Sequence, residues 1–143
     1  MTTDANHAPK LYRAILIDPV AKTVVDIQVA GDHYAIVDAL NCSLFELVAL
    51  TPDATEVMAV DEEGRLTYPH PNGYFRFVHP YTRAPLSDWT CGRGLLMGSN
   101  PDTGDAADCG MLLSTIQPAV EFADTPPPYE EVEPRAFVVA AIH

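Results

Sequence analysis

Basic residues are scarce in this chain. Eight Lys and Arg stand against twenty Asp and Glu, for a formal net charge of −12 and an isoelectric point near 4.5. Nucleic-acid binding needs phosphates to be met by Lys and Arg, so direct binding to DNA or RNA is not expected. Cysteine is also sparse. Cys42, Cys91 and Cys109 are odd in number and widely spaced, with no paired-cysteine or Cys/His pattern for zinc. They read as free, mostly buried thiols in a reducing compartment, with no metal and no cofactor. No apolar run approaches the ~18 residues of a membrane helix. The first residues lack the basic-then-apolar layout of a secretory signal. These absences predict a soluble, cytoplasmic protein without a membrane partner.

Catalytic motifs are missing too. Gly92-Arg93-Gly94 with Gly98 lacks both the phosphate-loop spacing and the third glycine of a dinucleotide fingerprint. Gly98-Ser99-Asn100 is not a nucleophile elbow, and Ser99 reads as a turn serine. Asp102, Asp105 and Asp108 are three residues apart, which fails the alternate-position rule of a calcium loop. His70 and His79 each precede a proline and read as loop histidines. Pro126-Pro127-Pro128-Tyr129 matches a WW-module ligand in form but reads as a spacer within a proline-rich stretch.

What is present is a sheet-forming pattern. Apolar content of 48% argues against wholesale disorder, and 143 residues suit one domain. The organising stretch is Gly92 to Asp105, in which a short apolar run, Leu95 to Met97, sits between glycines and reads as a buried central strand. Asn100-Pro101-Asp102-Thr103-Gly104 comes next as a tight polar turn. Residues 11–17 and 24–29 predict an antiparallel hairpin, with Val25, Ile27 and Val29 on one face. Asp32 can cap a short helix over His33 to Leu40, with Tyr34, Val37 and Leu40 at helical spacing and Asn41 as its stop; the alternative is a loop, since eight residues barely nucleate a helix without tertiary packing. Strands are expected at residues 45–50 and 56–60, and the latter pairs through the Asp61–Gly64 turn with residues 65–68. Prolines around Tyr74–Val78 predict an edge strand with Phe75 and Phe77 on one face. Residues 111–117 predict a short helix ending at Pro118, and 120–122 a last strand.

The expected fold class is α+β, mainly antiparallel sheet with one or two short helices. Residues 1–9 read as a disordered leader, 10–123 as the domain, 124–135 as a proline-rich acidic linker of extended type, and 136–143 as an apolar terminal strand. Residues 136–142 are too apolar to hang in water; they dock on the fold or pair with a second copy as a homodimer.

The ordered part resembles the DUF3846 type, a small family of uncharacterised proteins of phages, plasmids and the bacteria that carry them. The resemblance lies in Ile15-Leu16-Ile17-Asp18-Pro19, Leu40-Asn41-Cys42, Val60-Asp61-Glu62-Glu63-Gly64, Gly92-Arg93-Gly94-Leu95-Leu96-Met97-Gly98 and Val120-Glu121-Phe122, over residues 12–123. It implies a mobile-element context and no known chemistry. The resulting expectation is a non-enzymatic interaction protein that occupies a host protein, such as a defence or nucleic-acid-binding factor, through acidic residues Asp61, Glu62, Glu63, Asp102, Asp105 and Asp108. The alternative is a small-ligand or nucleotide binder using Arg93, Ser99 and Asn100.

Overall fold

The computed structural model describes residues 9–132. The expectations for most of the leader (1–8) and for the terminal strand with its homodimer pairing (136–142) lie outside the described residues.

β1 (Leu11–Asp18) and β2 (Thr23–Ala30) form the expected antiparallel hairpin. α1 (His33–Leu40) starts where Asp32 accepts a bond from the Ala35 amide at 2.8 Å and stops at Asn41 in the left-handed region. β3 (Phe45–Ala49) and β4 (Glu56–Asp61) form a second hairpin. Then come β5 (Tyr74–Phe77), β6 (Thr90–Cys91), β7 (Gly94–Ser99), β8 (Ala106–Ala107), the one-turn α2 (Leu113–Ile116) and β9 (Val120–Phe122). The larger sheet runs β2-β1-β7-β4-β3, with β8 pairing the end of β7; the smaller runs β6-β5-β9. The strand pairings are antiparallel, so the fold is α+β with a mainly antiparallel sheet. Among the described residues no helix is long and apolar enough to cross a membrane.

The central role of β7 stems from its pattern. Strand residues alternate faces, and here both faces are covered. Leu96 faces the smaller sheet and α2 with Ile15, Ile17, Met58, Phe75, Phe77 and Ile116. Leu95 and Met97 face α1 with Ala14, Val57, Ala59, Ile36 and Leu40. An unbroken apolar run is what such a strand requires. Gly98 is dictated by close packing: a Cβ there would lie 2.2 Å from the Asp108 carbonyl oxygen.

Four local expectations are corrected. Residues 65–68 do not return as a strand: Gly64–Thr67 is a 3-10 turn, and β4 pairs with β3 and β7 instead. β5 is the central strand of its sheet, because its flanking prolines fall in loops and leave both ladders intact. α1 buries Ile36 and Leu40, while Tyr34 is 81% exposed, since the helix meets the sheet on its 36/40 stripe. The helix expected over 111–117 is α2 alone, succeeded by a 3-10 turn, Gln117–Ala119, that takes in Pro118. Residues 124–132 of the linker run along the smaller sheet. Trp89 donates its amide to Glu131 at 2.9 Å, and Val132 is buried beside it.

Candidate functional site

The residues singled out in the sequence fall at two opposite ends of β7. Six strand residues separate them by about 20 Å. Arg93 lies just before the strand, and Ser99 and Asn100 lie at its far end, so the structure does not bring the ligand candidates together. Arg93 has an internal task. It donates to the Ala39 carbonyl at 3.1 Å, one of the last carbonyls of α1, and stands 3.7 Å from the Asp18 carboxylate. A cation at a helix C-terminus satisfies an orphan acceptor and complements the helix dipole.

At the far end, Ser99 donates its amide to Thr55, and Asn100 organises the turn. The Asn100 side chain accepts the Asp102 amide at 2.9 Å, its carbonyl accepts the Gly104 amide, and its amide donates to the Asp105 carbonyl. This is the expected tight polar turn, with Gly104 at φ +79 as its glycine allows, and the Asn100 side chain makes it an Asx turn. The turn leaves the Asp102 and Asp105 carboxylates in solvent. Asp108 is exposed but engaged, since it accepts the Arg13 amide at 2.8 Å. Arg13 also donates to the carbonyls of Cys109 and Met111 and pairs with Asp26 at 2.8 Å, pinning residues 108–111 to β1.

The acidic run at the other end divides likewise. Glu62 and Glu63 are exposed, but Asp61 turns inward, its side chain only 12% exposed, and takes the His70 Nε2 at 2.8 Å. The His70 Nδ1 accepts the Asn72 amide at 3.0 Å, which places the ring proton on Nε2, facing Asp61. Asn72 in turn exchanges bonds with Asn41, donating to its carbonyl at 3.0 Å and accepting from its side chain at 3.1 Å. Gly92, at φ +88, lies against the imidazole; a Cβ there would stand 3.0 Å from the ring. Both His70 nitrogens are engaged, so the ring is a structural hub with no nitrogen left for a substrate proton.

Composition could not reveal this hub, but a local signal exists. His79-Pro80-Tyr81 repeats the device of His70-Pro71-Asn72: the His79 Nδ1 accepts the Tyr81 amide at 3.2 Å. A His-Pro-x triplet in which the ring caps the amide two residues on is readable from sequence.

The thiols are inert by position. Burial pushes Cys91 up to about 11, with the Asp61 charge adding to it. Burial likewise raises Cys109 to about 11, and burial then Asp61 raise Cys42 to about 11. Neutral thiols of this kind are poor nucleophiles. Among the described residues no group of three or more His, Cys, Asp or Glu is placed to hold a metal.

What the surface offers is charge. Most of the described cations are engaged by the chain's own carboxylates: Arg13 with Asp26, Arg76 with Glu121 and Arg93 with Asp18 in part-buried pairs, and Lys22 with Asp124 at the surface. Arg65 stacks on Tyr129 at 4.5 Å, and Arg83 donates to the Pro118 carbonyl. The acidic excess faces solvent over much of the surface, with Glu62 and Glu63 at one end of β7, Asp102 and Asp105 at the other, and Asp38, Asp53, Asp88, Glu130 and Glu131 exposed besides. Comparison with known proteins finds no matching family model, no matching curated protein and no matching solved structure.

Proposed function

We propose that the chain is a non-enzymatic acidic interaction protein that occupies a basic surface of another protein. The observation that carries the reading is the balance of charge: most described cations are paired with the chain's own carboxylates, while unpaired carboxylates such as Glu62, Glu63, Asp102 and Asp105 face solvent. A surface of one sign steers association with a surface of the other and competes with nucleic acid for a basic groove. The DUF3846-type resemblance adds the context, an accessory factor of a phage or plasmid that inhibits a host defence or nucleic-acid-binding protein.

The test is affinity capture from host lysate with the full chain, at low salt and at about 1 M salt, where the Debye length falls to about 3 Å. One dominant partner is expected, lost at high salt and weakened by Glu62→Gln/Glu63→Gln or by Asp102→Asn/Asp105→Asn. Asp61 is left intact because its carboxylate holds His70. Capture that is indifferent to salt and to both double variants would end this reading.

A further inference from the structure

The two outer strands of the larger sheet are treated differently. On β2, Gln117 donates to the Val24 carbonyl at 2.9 Å, which blunts that edge. β3 has no such guard: among the described residues it pairs only with β4. Leu50 donates to Glu56 at 2.8 Å and Glu62 donates to Leu44 at 3.0 Å, so the even-numbered residues of β3 bond to β4. The amides and carbonyls of Phe45, Leu47 and Ala49 therefore point to the open edge.

Side chains along this edge sort by face. On the α1 face Phe45 packs on the core and Leu47 is 52% exposed. The His33 ring lies 5.4 Å from Phe45 and 5.6 Å from Tyr34, which carries the apolar surface outward. On the other face part-exposed Glu46 stands beside Val48. Charge here has one sign. Residues 41–64, which hold β3, β4 and the turns at both ends, contain no Lys or Arg. Glu56 and Asp61 are engaged by the Gly110 amide and by His70. Glu62 and Glu63 stay exposed at the start of β3, and Asp53 is fixed in solvent beyond its end by the Thr51 and Thr55 hydroxyls, each at 2.8 Å.

We propose that the β3 edge receives an extended segment of a basic partner, added to the sheet as a further antiparallel strand. The inference rests on the acidic-interaction reading above and names its contact. Main-chain bonds to Phe45, Leu47 and Ala49 supply the hold, and the alternation of side chains supplies the choice. Partner residues on the Leu47 face are apolar. Those on the Glu46 face are Lys or Arg, paired across the strands with Glu46, and basic residues at the two ends meet Glu62, Glu63 and Asp53. The segment recognised is thus an alternating apolar–basic strand, and an apolar–acidic one is rejected by like charge. A second copy of β3 would bring its own Glu46 and a further net charge of −12 to the same edge, which favours a basic occupant over self-pairing.

The probe is a blocked peptide, Lys-Val-Lys-Val-Lys-Val-Lys, titrated into the full chain and followed by residue-resolved amide hydrogen exchange. At saturation the Leu47 and Ala49 amides are expected to exchange roughly tenfold or more slower than in the peptide-free chain. The same peptide with Glu for Lys, or with N-methylated valines, is expected to give no protection. Glu46→Lys should weaken the Lys peptide about fivefold or more and admit the Glu peptide. Binding that leaves Leu47 and Ala49 unprotected, no binding, or a preference unchanged by Glu46→Lys would overturn the proposal. So would protection of both amides without peptide, which means an edge already closed, or closed by a second copy where it appears only with concentration and a doubled mass. A separate arm tells this inference from the reading beneath it. Leu47→Pro removes an edge donor that β4 does not use, and is expected to lose the partner that the unaltered chain captures from lysate. A partner retained by that variant, with the Val48 amide still protected, overturns the edge and leaves the acidic-interaction reading standing.

Discussion

His70 and Arg93 look like chemistry in the sequence and are architecture in the fold. Replacing His70 by Ala strands the Asp61 carboxylate and the Asn72 amide in a part-buried site, an expected loss of about 1–3 kcal/mol, measured by urea unfolding. Arg93→Met removes the α1 carbonyl partner and is expected to cost about 0.5–2 kcal/mol. It should leave partner capture unchanged; a variant that folds normally but loses the partner would make Arg93 a contact residue after all. The thiols give a pH signature. Folded Cys91 and Cys109 hold their protons to about 11, against 9.0 ordinarily, so between these values the unfolded chain loses protons first. Stability is therefore full below about pH 9 and falls as pH rises toward about 11. Urea midpoints taken across that window check the sign, and a flat profile contradicts it.

At the level of elements, Gly98→Ala is the sharpest probe. Its added methyl would meet the backbone oxygen of Asp108, which no side-chain rotation can relieve, so the loss should exceed about 2 kcal/mol and loosen the β7–β8 pairing. Retained stability in that variant would mean that residues 106–109 yield. The same strand shows what was legible in advance. β1, β2, β3, β4 and β7, the α1 caps and the Asn100 turn are written in local alternation, capping and turn chemistry, each decided within a few residues. The hairpin wrongly expected from Asp61-Glu62-Glu63-Gly64 failed because a turn signal does not dictate the conformation of the residues beyond it. Gly64 packs against Cys91, a contact from a distant stretch, and the chain tightens into a 3-10 turn there. β5 was misplaced for a related reason: prolines reveal where a ladder cannot run, not how many ladders a strand keeps. Of the candidate site, exposed Glu62, Glu63, Asp102 and Asp105 are explained by composition and turn chemistry. The inward rotation of Asp61 needed its partner His70, nine residues on across an irregular loop.

The whole molecule carries its charge as a load. At −12, like charges repel in the compact state, so its melting temperature is expected to rise with added salt even as partner binding weakens. The two trends should run in opposite directions in the same salt series, and a falling melting temperature would show that the internal ion pairs outweigh the repulsion. The strand order has another consequence. β1–β2 and β3–β4 are local hairpins, but β7 fills the slot between them and is the last of these five strands to be made. On the ribosome both hairpins must wait with their inner edges bare, because nothing joins β1 to β4 until Ser99 is free of the exit tunnel. Long-range insertion of this kind is slow and leaves sticky edges open meanwhile. A nascent chain stalled before Gly94 should therefore be prone to aggregation, and one released just beyond Ser99 should be able to close the sheet.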